Sequence, residues 1–97
     1  MTTDLRNLKW HEPKRTRCLD FNGKEADLDN GLVVVLDYIV DKGQTELTIY
    51  NPETGWCASS ADTQDWPVLD SKFGRWGWHE CARIHEGESR RLLMGGE

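Results

Sequence analysis

The chain has 97 residues, of which 37% are hydrophobic and 30% are charged, and its formal net charge is −5. This length allows one modest hydrophobic core, so we expect residues 1–97 to form a single domain without a large buried cofactor. Five tryptophans argue against a disordered chain, and the longest apolar run, residues 32–36, is far shorter than the roughly 20 residues that span a bilayer.

The N-terminal residues 1–14 are polar and charged, and they lack the apolar centre of a secretory signal. Pro13 interrupts this segment, which predicts an arm with at most a short strand at 8–11. The cysteines, Cys18, Cys57 and Cys81, form an odd and sparse set that is typical of reduced thiols. These features together favour a cytoplasmic protein that does not enter a membrane.

Apolar and β-branched residues predict an antiparallel sheet within residues 15–60. A first short strand is expected at 15–21, and the segment 22–31 is predicted to be turn because an Asn-Gly pair stands at each end. The following segments are predicted to form a three-stranded antiparallel meander, with strands at 31–40, 45–50 and 56–60 and turns at 41–44 and 51–55.

An acidic loop is expected at 61–75, followed by an amphipathic helix at 76–94 that ends before two glycines. At 100° per residue one face of this helix collects a stripe that we expect to pack on the sheet: Trp78, Cys81, Ala82, His85, Ser89, Leu92 and Leu93. The predicted fold class is therefore α+β, with a three- to four-stranded antiparallel β-meander and one C-terminal helix across a face. A small SH3-like barrel with an appended helix is the alternative.

The stretch FGRWGWHECARIH at 73–85 places candidate nucleophiles and metal ligands close together in sequence. On a helix His79 and Cys81 are about 200° apart and cannot share an ion, whereas Cys81 and His85 point the same way. No C-x-x-C pair supplies further ligands, and a cysteine on a core-facing stripe is usually unreactive. The sequence thus predicts no metal, no cofactor and no catalytic residue, and we expect a protein that is not an enzyme.

Charge is distributed unevenly along the chain: residues 1–17 sum to +3, residues 18–70 to −9 and residues 71–97 to +1. The basic stretch 9–17 is short and belongs to an acidic protein, so direct binding to nucleic acid is not expected. The acidic middle is either a solvated surface that maintains solubility or a surface that engages a basic protein partner.

Tryptophans differ in their expected burial. Trp56 and Trp78 are predicted to lie in the core, and Trp66 and Trp76 to be partly exposed. Trp10 falls in the N-terminal arm, and the alternative is that all five tryptophans fill the core. Exposed tryptophan is enriched at protein interfaces. The predicted partner-binding residues are accordingly Asp27, Asp29, Asp37, Asp41, Asp62 and Asp65 for charge, with Trp66 and Trp76 as anchors.

The motif LKWHE at 8–12, the central strands, and the LDS at 69–71 leading into a helix that ends ESRRLL at 88–93 resemble short proteins encoded by phages and prophages. This resemblance covers about half of the chain. It implies a small accessory protein, in some cases an inhibitor that blocks a host nucleic-acid-binding or defence complex. The alternative hypothesis is a structural or assembly protein, such as a homodimer, that self-associates through an open sheet edge and exposed tryptophans.

Overall fold

A computed structural model describes residues 3–16 and 23–93, with side chains as far as residue 88, and shows one antiparallel sheet and two C-terminal helices. The strands are β1 (Gly23–Asp27), β2 (Val33–Ile39), β3 (Gln44–Tyr50) and β4 (Cys57–Ser59), in the spatial order β1-β2-β3-β4. The helices are α1 (Trp66–Phe73) and α2 (Arg75–Leu93), and short 3₁₀ turns lie at Leu5–Asn7, Asp29–Gly31 and Thr63–Asp65. The predicted α+β class is confirmed, and the barrel alternative is wrong because the sheet is not closed.

Strand β1 corrects the interpretation of 22–31 as turn. Gly23 is not a turn residue but the first residue of the strand, where a Cβ would lie 1.6 Å from the carbonyl oxygen of Leu36. Because glycine has no side chain, the backbones of β1 and β2 can approach each other closely at this position. The second Asn-Gly pair does turn the chain, since Asn30 and Gly31 have φ of 59° and 78°.

The N-terminal segment pairs with β1 at a single position. The strand expected at 8–11 is absent apart from His11, whose backbone exchanges hydrogen bonds with Glu25 at 2.9 and 3.0 Å. Before it, the 3₁₀ turn Leu5–Asn7 is capped by the Asp4 side chain. The strand predicted at 15–21 lies mostly outside the described residues, as does Cys18.

Helix α1 corrects the prediction of a loop throughout 61–75. Pro67 stands in its first turn, where the missing N–H costs no helical hydrogen bond, and Gly74, at φ 80°, ends it. Leu69 and Phe73, four residues apart, are both buried and hold the helix against the core. The helix escaped prediction because its eight residues are bounded by a proline and a glycine that are also typical of loops.

Helix α2 begins one residue before the predicted start and follows the expected stripe where side chains are described. Trp78 and Cys81 are buried, and Ala82 and His85 are half-buried. The Trp78 indole N–H donates to the Asp70 carboxylate at 2.8 Å, which fixes α2 against α1. No described helix combines the length and the apolar character needed to cross a membrane.

The core lies between one face of the sheet and the two helices. It comprises Leu5, Ala26, Val34, Leu36, Leu47, Ile49, Leu69, Phe73, Trp78 and Cys81. Trp56, expected in this core, is instead 47% exposed. It precedes β4 at the rim of the sheet, where Pro67 and Val68 of α1 line only a shallow groove beside it.

Candidate functional site

The predicted acidic residues divide between the two ends of the sheet. Asp27 and Asp29 lie at the β1–β2 end and contact cations of the chain itself: Arg15 Nη1 is 3.5 Å from the Asp27 carboxylate, and Lys72 forms an ion pair with Asp29. The hydrogen bond and charge of Lys72 hold the pKa of the Asp29 carboxyl below its ordinary value. These two carboxylates therefore already have cation partners within the chain, while their side chains stay 62% and 67% exposed.

The remaining four acidic residues lie at the opposite end, toward which β2 and β4 both run. Asp37 pairs across the ladder with Glu46, and the exposed Asp41 occupies the β2–β3 turn. Asp62 and Asp65 follow β4 and each accept a backbone hydrogen bond at 2.9 Å, from Gln64 and Ser59 respectively. The structure thus gathers at one end four of the six predicted carboxylates, two of which also stabilise local turns.

A groove of about 790 Å³ opens at this end between the sheet and α2. One side is formed by the start of β3 and the residues that follow β4, and the other by the flank of α2 that adjoins its core-facing stripe. Its lining comprises Gln44, Thr45, Glu46, Ser60, Ala61, Trp66, Arg75, Trp76, Trp78, His79, Glu80, Ala82, Arg83 and Glu86. This volume is in the range of sites that bind small ligands or short peptide segments.

Aromatic rings form a fixed wall of the groove. Trp78 stacks on His79 with ring centroids 3.7 Å apart, and Trp66 meets both edge-on at 5.5 and 5.4 Å. The Trp66 indole N–H donates to the Ser60 carbonyl at 3.0 Å, so its half-buried ring is held in place. Trp76 differs from these rings because 80% of its surface is exposed. The wall is preformed, and Trp76 projects beside it.

Thr45 provides a polar group in the floor of the groove. The residue is only 9% exposed, and among the described residues its hydroxyl has no hydrogen-bond partner. An unpaired buried hydroxyl is destabilising, and because its oxygen is buried it is not accessible to a ligand in the groove. Of the groove residues, only Trp66 and Trp76 were predicted as a site from the sequence.

A second cavity, of about 450 Å³, lies beside the inner face of α2. Cys81 and His85 line it together with Trp10, Leu36 and Ile84. Burial raises the pKa of the Cys81 thiol to about 11, and burial lowers the pKa of His85. At neutral pH the thiol is therefore protonated, which makes Cys81 a weak nucleophile.

Among residues 3–16 and 23–93, one cluster brings metal-ligating atoms together: the donor atoms of His11, Glu25 and Asp27 lie within 4.8 Å of one another. The buried Glu25 carboxylate already accepts hydrogen bonds from the backbone N–H groups of Arg15 and Thr16 and from the Thr16 hydroxyl. The Arg15 guanidinium also occupies the Asp27 side of the cluster. These contacts attach the N-terminal segment to β1. The positive charge of Arg15 would also oppose the binding of a metal ion in this cluster.

The chain matches no protein-family model, no curated protein and no solved structure. The resemblance to phage-encoded proteins therefore stays a prediction.

Proposed function

We propose that the chain is a non-enzymatic protein-binding module whose contact surface is the groove between β3 and α2. The observation that carries the proposal is Trp76, 80% exposed on a helix and adjacent to a preformed wall of Trp66, Trp78 and His79. A large aromatic side chain next to a fixed aromatic cavity is the arrangement that dominates binding energy at many protein interfaces.

Charge favours a basic partner. The net charge is −5, and of the acidic residues at this end of the sheet Glu46 lines the groove, with Lys42 3.7 Å away; its cross-strand neighbour Asp37 and the turn residue Asp41 lie outside the lining. On α2 the groove is lined by charges of both signs, and Glu46 on the sheet leaves the lining with one net negative charge; the α2 residues are Arg75, Glu80, Arg83 and Glu86. Complementary charge of this kind accelerates association and is weakened by salt. Blocking a host nucleic-acid-binding or defence complex is the particular role that the phage resemblance suggests.

Self-association through an open sheet edge, the alternative hypothesis, receives less support. The backbone of Glu25 at the centre of β1 is bonded to His11, and the Asp65 carboxylate accepts the outward N–H of Ser59 in β4. In the described sheet β1 is therefore closed at its centre and β4 at its last residue, which limits pairing of either outer strand with a second copy.

The proposal is tested by affinity capture with three baits: the natural chain, Trp76→Ala and Trp56→Ala. Trp56 is a matched control because it is also an exposed tryptophan, 47% accessible, but does not line this groove. We expect the natural chain and Trp56→Ala to capture the same basic protein after nuclease treatment, and Trp76→Ala to lose it. Binding should also fall toward about 0.5 M salt, where the Debye length is only a few ångströms. Equal capture by Trp76→Ala, or recovery of the bait alone in all three cases, would overturn the proposal.

A further inference from the structure

The edge of β3 is paired over only part of its length. β3 has seven residues and β4 has three, and their register covers only Thr48, Ile49 and Tyr50 of β3. Ser60 extends the contact by one residue, because its N–H donates to the Leu47 carbonyl and its hydroxyl accepts the Leu47 N–H, both at 2.9 Å. The chain then turns away, so β4 does not reach the first three residues of β3.

Within that uncovered part, the backbone of Thr45 faces outward. In an antiparallel sheet, alternate residues direct both the N–H and the C=O toward the same neighbouring strand. Leu47 bonds with Ser60, and Asn51 donates to the Trp56 carbonyl, so these odd-numbered positions face the β4 side. The same alternation directs the N–H and C=O of Thr45 toward that side, where β4 has already ended.

The uncovered edge coincides with the groove. Thr45 lines it, 9% of the residue's surface is exposed, and its buried hydroxyl is without a partner in the part of the chain that the structure describes. We infer that an extended segment of the partner protein binds here by β-strand addition, pairing its backbone with Thr45; this inference rests on the proposed function. Strand addition onto an exposed edge obtains affinity from backbone hydrogen bonds and specificity from alternate side-chain pockets.

The two faces of the sheet indicate which side chains such a segment carries. A residue opposite Thr45 lies on the face that packs against α2, and therefore near the Trp66, Trp78 and His79 rings. Its flanking residues lie on the other face, where Glu46 pairs across from Asp37. The expected segment alternates basic residues with an apolar or hydroxyl-bearing residue. A second copy of this chain is disfavoured as the occupant, because each copy carries a net charge of −5.

The test begins with a phage-displayed library of random heptapeptides selected on the full chain. Selected peptides are synthesised and titrated against the natural chain and against the Trp76→Ala, Thr45→Val and Thr45→Pro variants. Proline removes the outward N–H of Thr45, whereas valine removes only the hydroxyl and keeps the backbone donor. We expect Trp76→Ala to abolish binding, Thr45→Pro to weaken it about tenfold, and Thr45→Val to weaken it much less.

A measurement on the natural chain covers the case in which Thr45→Pro fails to fold. On addition of a selected peptide, hydrogen exchange at the Thr45 amide should slow at least tenfold. The Leu47 amide, already bonded to Ser60, should change little and serves as the internal control.

The outcomes separate the inference from the proposed function. Peptides that depend on Trp76 but leave the Thr45 amide unprotected would overturn strand addition and leave the protein-binding groove standing. Peptides that bind independently of Trp76 would overturn both. Protection of the Thr45 amide that rises with protein concentration in the absence of peptide, together with dimerisation in sedimentation, would identify a second copy as the occupant and overturn the inference.

Discussion

The carboxylate of Asp65 accepts a hydrogen bond from the backbone N–H of Ser59, with 2.9 Å between Oδ2 and N. Ser59 is the last residue of the outer strand β4, and its neighbour Ser60 is the one that bonds inward to Leu47. The Ser59 N–H therefore points away from the rest of the sheet, and the Asp65 carboxylate accepts its hydrogen bond in place of a further strand. A carboxylate assigned from sequence to partner binding thus also protects a strand edge from unwanted pairing.

Removing this contact should both destabilise the fold and open the edge. We expect Asp65→Ala to lower the free energy of unfolding by about 1.5 kcal/mol, the usual contribution of a hydrogen bond to a charged group. Urea unfolding measures this loss. Asp41→Ala is the control, since Asp41 is exposed in a turn, and its effect should stay within about 0.5 kcal/mol. Equal effects of the two substitutions would show that the Asp65 contact does not stabilise β4.

Glu25 attaches the N-terminal segment to the sheet through a fully buried carboxylate. Burial raises its pKa, but hydrogen bonds from the Thr16 hydroxyl and from the backbone of Arg15, Lys14 and Thr16 outweigh burial, and the net pKa is lowered. Because the folded pKa lies below the unfolded one, this group contributes stability above about its ordinary pKa of 4.5. That contribution is lost as the pH falls through the folded pKa.

Truncating this side chain should be among the most damaging single changes in the chain. Glu25→Ala leaves the buried N–H and hydroxyl of Thr16 and the part-buried N–H of Arg15 unpaired, and we expect a loss of about 3 kcal/mol in the free energy of unfolding at pH 7. Glu53→Ala, at an exposed turn position, should change it by less than about 0.5 kcal/mol. A loss below about 1 kcal/mol for Glu25→Ala in the same urea experiment would contradict the anchoring role.

Local sequence signals account for the central part of the fold. β2, β3, β4 and α2 follow from β-branched runs, the NPETG turn and a helical stripe, because each signal is contained in its own segment. β1 and α1 were missed because Gly23, Pro67 and Gly74 are read as turn residues when their surroundings are unknown. In the fold, position 23 requires glycine because the backbone of Leu36 lies too close for a Cβ atom. This contact joins residues that are distant in sequence.

The candidate site, like the fold, was predictable from local sequence only in part. The sequence singled out Trp66 and Trp76, because tryptophan beside polar residues is conspicuous without any structure. It did not indicate Thr45, whose role depends on β4 ending after three residues and on α2 crossing beside the uncovered edge. An edge is a relationship between two strands, and no property of Thr45 alone predicts it.

Gly87 is a weak point in α2 that a single substitution can remove. The residue is exposed within the helix, and a Cβ at this position would have nothing within 4 Å. We expect Gly87→Ala to raise the free energy of unfolding by about 0.8 kcal/mol, because alanine loses less backbone entropy on forming a helix. Gly55→Ala is the contrasting variant: it also has open space, but its φ of +81° should make alanine destabilising by about 1 kcal/mol. Thermal or urea unfolding of both variants checks the opposite signs, and a gain at Gly55 would contradict the turn geometry.

His85 should make the free energy of unfolding depend on pH in a range above the one in which carboxylates titrate. Its Nε2 is buried without a hydrogen-bond partner among the described residues, and burial lowers its pKa from the ordinary value of 6.5, while Glu88 raises it and Lys24 lowers it. The unfolded chain therefore binds a proton more readily than the folded one. The stability contributed by the neutral ring is fully present above about pH 6.5 and is lost as the pH falls below it.

We expect the natural chain to lose more unfolding free energy than His85→Leu between about pH 7.5 and pH 5.5, a range above the ordinary carboxyl pKa. Leucine keeps an apolar side chain at the half-buried position but does not titrate. Urea unfolding at both pH values gives the difference, and an NMR titration of the His85 ring in the folded chain measures the lowered pKa directly. Equal losses in the two proteins, together with a ring pKa at or above 6.5, would show that protonation of His85 does not oppose folding.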